Sequence, residues 1–271
     1  PGSGTPAQDG PGTLLNSWAW SPGDLQEGVW TPILSVFDEG GNSAQTSIHI
    51  GIDRSGPDVG TPSLSVATGS WTDATTLIFN DLSSGANDNG GSGIATYHVR
   101  DSTNEWTDIG AAGYGSMALE EGVRTIQFRA EDRVGNIGDP LNITIMVDRT
   151  APVAGGWILP ELTDSLSGQV AVTVDVTDTH SGIDAASCNI EYGFDSNGAG
   201  NTPDISSDWL SVGSGTSSQL SAAIDWSTRA GQYLSLRATL VDDAGNTVTT
   251  PASHFLILPG LDFSISDASL D

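Results

Sequence analysis

Residues 130–152 read AEDRVGNIGDPLNITIMVDRTAP: a turn carrying two acids, an alternating apolar run, then Asp and a proline stop. The unit returns as VFDEGGNSAQTSIHIGIDRSGP at 36–57, and LVDDAGNTVTTPASHFLILPG at 240–260 repeats its first half. Gly28, Gly122 and Gly231 precede Asp38, Asp132 and Asp242 by ten, ten and eleven residues, and each Asp opens an Asp-x-x-Gly-Asn turn. Before the second turn Ile126, Phe128 and Ala130 alternate with Thr125, Gln127 and Arg129, and Leu236, Ala238 and Leu240 hold the matching places in the third copy. A period of two is that of a half-buried strand. Ile48, Ile50 and Ile52, and then Ile143, Ile145 and Val147, alternate in the same way after the first two turns. Strand, Asp-x-x-Gly-Asn, strand is a β-hairpin, whose Gly and Asn tolerate the positive φ of a tight turn.

Working outward, the second and third hairpins share upstream elements. SGIATYHV (92–99) and SGIDAASCNIEY (181–192) each follow an Asp-rich loop, and each loop follows a strand pattern, TLIF (76–79) or VAVTVDV (170–176). Trp106 and Trp209 occupy similar places beyond them. Residues 58–152 and 153–259 therefore read as two complete modules, each near the ~100 residues of a β-sandwich domain. Residues 1–57 contain only the closing strands of a module, although LLNSWAWSPGDLQEG there resembles QLSAAIDWSTRAGQ in the last one. Residues 260–271 read as a linker or the start of a further module, so the chain is expected to begin and end mid-architecture. No apolar stripe of 3.6-residue period persists over three turns. The fold class is all-β: tandem antiparallel sandwiches joined by Asp-Arg-x-x-Pro segments, Asp53 to Pro57 and Asp148 to Pro152, whose prolines end the strand and stiffen the joint.

GGSGIATYHV, EGVRTIQFRAEDRVGN and VDRTAP together resemble the immunoglobulin-like repeats of bacterial and archaeal cell-surface and secreted proteins. In those repeats Ser-Gly-Ile, Glu-Gly, Asp-x-x-Gly-Asn and Asp-x-x-x-Pro recur once per domain. The resemblance implies immunoglobulin-like folding and an extracellular or surface location, and leaves function open because such modules serve as stalks, adhesins and enzyme spacers alike. The third module departs from the pattern by its insertion at 193–208 and by Leu258 in place of the strand-terminal Asp.

Thirty-four acids against eight bases give a net charge of -26, and all eight bases are arginine. Nucleic acid and anionic membrane surfaces are poor partners for such a chain. No stretch approaches the ~18 apolar residues of a membrane span, so no direct membrane insertion is expected of this segment. Without lysine no Lys–Asn isopeptide lock can form, and stiffness must come from packing, proline joints or metal. The acidic, lysine-free composition points to a halophilic or marine source, most consistent with an archaeal one. Cys188 is alone, which excludes an intrachain disulfide and a thiolate cluster, and it reads as a small buried hydrophobe.

No enzyme is expected. There is no Gly-x-Ser-x-Gly elbow, and GANDNGGSG (85–93) lacks the Lys and the helix of a phosphate loop. His49 and His98 fall on the alternate, solvent-facing side of their strands, and His254 follows a strand break.

Asp outnumbers Glu by 26 to 8, and hard carboxylates in flexible loops suit Ca²⁺. In an immunoglobulin-like topology the incoming linker, the loop between the second and third strands and the final hairpin turn meet at one pole. That gathers Asp53, Asp81 or Asp88, and Asp132 for the second module, and Asp148, Asp178 and Asp242 for the third, with Asp175 also available. Against this stands the simpler role of the hairpin Asp as a cap of its own turn. DSNGAG offers a weaker calcium pattern in Asp195, Asn197 and Gly200. Asn142-Ile-Thr is the one sequon suited to N-glycosylation. The expected function is a stalk or spacer whose partners are neighbouring domains of the same chain, other extracellular proteins or glycans. Two alternatives are an adhesin or carbohydrate-binding module using Trp18, Trp30, Trp71, Trp157 or Trp209 as stacking platforms, and accessory domains of a secreted enzyme.

Overall fold

The computed structural model describes residues 25–160, 162, 168–195, 209–212 and 214–259. Every regular element among them is a strand. In chain order these are β1 (Gly28–Trp30), β2 (Ile33–Phe37), β3 (Ser43–Ser47), β4 (Ile50–Ile52), β5 (Ser63–Leu64), β6 (Trp71–Thr72), β7 (Thr76–Asn80), β8 (Ile94–Asp101), β9 (Thr107–Gly110), β10 (Gly115–Ala118), β11 (Gly122–Asp132) and β12 (Leu141–Val147). There follow β13 (Val153–Ile158), β14 (Val170–Thr177), β15 (Asn189–Asp195), β16 (Leu210–Val212), β17 (Ser214–Gly215), β18 (Gln219–Ile224), β19 (Tyr233–Val241), β20 (Thr247–Thr249) and β21 (Ser253–Leu256). The tail from 260 and the insertion residues Asn197 and Gly200 lie outside the described residues, as does Trp18.

The chain divides into two compact units. One comprises Ile78–Met117, Thr125–Ile143 and the described part of Pro1–Ser65; the other comprises Val66–Leu77, Ala118–Arg124 and the described part of Thr144–Asp271. In the first unit β11 pairs antiparallel with β8, setting Phe128 opposite Val99 and Ala130 opposite Tyr97. All four side chains are buried. β5 pairs with β7, placing Leu64 opposite Phe79, and the Phe79 ring meets Phe128 edge-on at 5.1 Å between centroids. The sheet containing β7 and β5 and the one containing β11, β8 and β9 thus face each other across an aromatic core. β1 pairs with β4 and β2 with β3, but Val29, Ile33, Val36, Phe37 and Ile48 stay exposed, with no opposing sheet among the described residues.

In the second unit β13-β14-β18-β17 packs on β16-β15-β19-β20, with β21 also paired to β19. Val172, Val174 and Val176 from β14 and Leu220, Ala222 and Ile224 from β18 meet Ile190 of β15 and Leu234, Leu236, Ala238 and Leu240 of β19. First, second, fifth and fourth major strands on one sheet against third and sixth on the other is the division of an immunoglobulin-type sandwich. Trp226 and Ile257, both fully buried, close this core. Cys188 lies in it too, just before β15, with its Sγ accepting from the Val241 N–H at 3.2 Å.

Glycine decides how the first linker meets the second hairpin. A Cβ on Gly138 would stand 1.8 Å from the Pro57 carbonyl oxygen, and one on Gly56 would stand 2.2 Å from the Ile137 carbonyl carbon. Both obstacles are backbone, which cannot rotate away. Gly138→Ala is therefore expected to destabilise the first unit by about 1–3 kcal/mol, as overpacking does. Urea unfolding at constant m would register it.

Candidate metal centre

The hairpin turn is built identically three times. Asp38, Asp132 and Asp242 each accept the N–H of Asn42, Asn136 or Asn246 on Oδ1, at 2.7, 2.8 and 2.8 Å, and the amide of the same Asn on Oδ2, at 2.7, 2.7 and 2.8 Å. Gly41, Gly135 and Gly245 take φ of 81, 92 and 92°, which explains the glycine. Each Asp does cap its own turn, as the simpler reading expects. The strand period adds a second consequence. Asp132 continues the buried set Ile126, Phe128, Ala130, and Asp242 continues Leu236, Ala238, Leu240, so both carboxylates turn inward where the core ends, at 2% exposure.

Two further acids reach each of the later turns. Ligand oxygens of Asp53, Asp88 and Asp132 lie within 4.8 Å of one another in the first unit, and those of Asp148, Asp178 and Asp242 do so in the second. The wiring of the two clusters matches. The linker acid accepts from the Ser of Ser-Gly-Ile: Ser92 N–H to Asp53 Oδ2 at 2.5 Å, Ser181 N–H to Asp148 Oδ2 at 2.9 Å. The loop acid accepts from the Gly: Gly93 N–H to Asp88 Oδ2 at 2.5 Å, Gly182 N–H to Asp178 Oδ1 at 2.9 Å. Both glycines hold positive φ, 88 and 90°. The Ser-Gly-Ile recurrence is thus an acid-orienting device, a role its sequence alone did not reveal.

Asp88, not Asp81, joins the first cluster. Asp81 is exposed at the end of β7 with φ 64°, and its carbonyl accepts from Ser84 N–H. Asp175 is likewise outside the second cluster, on the outer face of β14, where Gln219 donates to it at 2.8 Å. Asp195 ends β15 as a buried residue with a partner.

The Glu-Gly motif ties the linker down. Glu27 accepts from the N–H groups of Arg54 and Ser55, at 2.7 and 2.8 Å, and Glu121 accepts from Arg149 N–H and Thr150 Oγ1–H, at 3.1 and 2.6 Å. Arg149 in turn donates to the carbonyls of Ala74 and Leu119. Where the Glu is missing, at Ala230, the Asp-Arg linker is missing too, replaced by Leu258-Pro259.

Fit to a hard cation can be judged from the donors. Asp53 Oδ1, Asp88 Oδ1 and Asp178 Oδ2 are buried without a hydrogen-bond partner, a costly state for a carboxylate oxygen. The six aspartates of the two clusters offer only oxygen ligands, the set that Ca²⁺ prefers.

Burial works against the charge of Asp132, but the Asn136 and Val134 donors outweigh it and hold its carboxyl below the usual range. Burial likewise opposes ionisation of Asp148, and the N–H groups of Ser181 and Thr150, with His180 nearby, reverse that. A carboxyl depressed on folding adds stability that is present above its unfolded value and lost as pH falls through the folded one. In chelator the melting temperature should accordingly hold on acidification from neutrality and drop below about pH 4. A drop already complete near pH 6 would contradict the assignment of these carboxyls.

The remaining candidates separate clearly. His49 is exposed as expected, but His98 is not solvent-facing: although it alternates with buried Tyr97 and Val99, its side chain is 13% exposed because Glu131 on the neighbouring strand covers it at 3.1 Å. His254 lies within β21 rather than after a break, bonded to Ser235 Oγ at 2.7 Å. Asn142 is exposed on β12, with Gln127 donating to its Oδ1. Among the tryptophans, Trp209 carries the Arg237 guanidinium 4.4 Å over its ring, Trp157 packs on the core, Trp71 tilts against His180, and Trp30 is the most exposed of the four. Trp106 is covered by Arg100 and Arg129.

No family model and no curated protein matches the chain. Among solved structures it is similar to the fibronectin(III)-like modules of Clostridium thermocellum CbhA, at 10% identity over 73% of this chain and 95% of that one, TM-score 0.31. A tetra-tandem repeat in the extending region of a large adhesion protein is 22% identical over 86% of this chain and 57% of that one, TM-score 0.31. The D00-D0 domain of intimin is 13% identical over 72% of this chain and all of its own, TM-score 0.30. The sandwich fold stands on the strand order and core of this chain. No helix among the described residues is long and apolar enough to cross a membrane.

Proposed function

We propose that the chain is a spacer segment of an extracellular or cell-surface protein, built of immunoglobulin-like modules at 58–152 and 153–259 and stiffened by Ca²⁺. One observation carries this reading: a linker acid, a loop acid and a hairpin acid converge twice, through the same Ser-Gly-Ile and Asp-x-x-Gly-Asn wiring. Turn capping accounts for the hairpin Asp alone. It gives no reason for Asp53 and Asp148 to be brought beside it, since like charges at such distances repel. A bound Ca²⁺ would turn that repulsion into a tie between linker and sandwich, so that each module contacts its neighbours in a fixed way, as serial arrays do. In this reading Asp53, Asp88 and Asp132 hold one ion and Asp148, Asp178 and Asp242 another.

The glycan-stacking alternative is weakened at Trp209 by the guanidinium over its ring. Small-angle scattering of the chelated and the Ca²⁺-loaded chain tests the spacer: the loaded form should be longer and less flexible. Identical scattering curves would dispose of the stiffening.

A further inference from the structure

A third constellation shares an acid with the second cluster but differs in chemistry. Glu121 Oε1 and Asp148 Oδ1 stand 3.7 and 3.8 Å from His180 Nδ1, and all three ligand atoms lie within 4.8 Å of one another. All three residues belong to the second unit. We propose that Glu121, Asp148 and His180 form a site for a borderline divalent transition metal, Zn²⁺ or an ion of its kind, distinct from the all-oxygen cluster next to it.

The geometry leaves room for an ion. Distances of 3.7 and 3.8 Å are too long for a hydrogen bond, so the imidazole faces both carboxylates without bonding either. Two metal bonds of roughly 2.0–2.2 Å, the Zn–N and Zn–O lengths, span up to about 4 Å, which matches both separations. Imidazole nitrogen selects a transition metal over Ca²⁺, which takes oxygen. Glu121 and His180 are about one-third exposed, at 31 and 36% of their side chains, which supplies the entry path, while Asp148 is fully buried.

The surroundings orient the donors. Thr150 N–H and Ser181 N–H hold the Asp148 carboxylate, Arg149 N–H and Thr150 Oγ1–H hold Glu121, and the Trp71 ring lies 6.4 Å from the imidazole. Next to His180 stands Ser181, 9% exposed, whose Oγ is buried with no partner. The fold does not demand a histidine here. The matching position in the first cluster is Gly91, where a Cβ would stand 2.5 Å from Asp53 Oδ2. The second cluster instead admits a side chain at this point, and that side chain is a metal ligand.

The test uses the tag-free chain, treated with chelator and labelled with [15N]histidine. Zn²⁺ should shift the His180 Nδ1 resonance at one equivalent, Ca²⁺ should not, and His180→Ala should weaken Zn²⁺ binding at least about tenfold in calorimetry. Asp178→Asn removes a charge from the neighbouring all-oxygen cluster while keeping an oxygen to accept the His180 N–H, which Asp178 Oδ1 does at 2.9 Å, so it should keep the Zn²⁺ site, and failure of the calcium reading is distinguishable from failure of this one. Equal Zn²⁺ affinity in His180→Ala, an unmoved His180 resonance, or loss of Zn²⁺ binding in Asp178→Asn alone would overturn the proposal. Matching melting curves of the chelated variants confirm that each is folded.

Discussion

Removing Ca²⁺ from the chain with EGTA is expected to lower its melting temperature by roughly 10–20 °C. A ligand present at a hundred times its dissociation constant stabilises by about 2.7 kcal/mol per site, and in sandwiches of about 100 residues each kcal/mol is worth roughly 4–8 °C. The loop acids give the cleanest variants. Asp88 and Asp178 each use one oxygen for backbone donors and bury the other without a partner, so Asn preserves the turn and removes the charge. In Ca²⁺, Asp88→Asn and Asp178→Asn should each lose the gain of one site. In EGTA the sign should reverse, because removing one of three converging carboxylates relieves repulsion. A parent protein whose melting does not respond to Ca²⁺, or Asn variants that lose stability equally with and without it, would show that the clusters are held by protons and hydrogen bonds alone.

Trp226 should be the most sensitive position of the second sandwich. Its side chain is fully buried between the sheets, so Trp226→Ala opens a large cavity and is expected to cost about 3–5 kcal/mol. Its indole Nε1–H is buried without a partner, however, and an unmade hydrogen bond of this kind costs about 1–3 kcal/mol on its own. Trp226→Phe keeps much of the packing and removes that donor, so it should lose less than half as much as the Ala variant. Denaturant midpoints at unchanged m would check both. Equal losses would mean that the indole nitrogen is satisfied after all.

The strands were legible because a period of two survives any tertiary detail. Ile126, Phe128 and Ala130 lie inside wherever that sheet is covered, and the same alternation places Asp132 with them. The choice between Asp81 and Asp88 was not legible, since both stand in one loop. It turns on the positive φ of Asp81 and on the reach of Gly93 N–H to Asp88. The covering of His98 was not legible for a related reason: alternation names the outer face of a strand but not the Glu131 side chain that covers it from the next strand. His254 follows a break in the alternation of the sequence, yet β21 resumes beside β19.

By itself the amino-acid order determined the all-β class, the three hairpin turns and the identity of the acids available to meet at them. Those depend on local rules: side-chain period, the φ freedom of Gly and Asn, and charge. Only the tertiary structure decided which acids converge, that Ser-Gly-Ile and Glu-Gly orient them, and that Glu121 and His180 face Asp148. Residues 27 to 94 positions apart in the chain come within a few ångströms only after the sheets have paired, and separation in sequence carries no record of that distance.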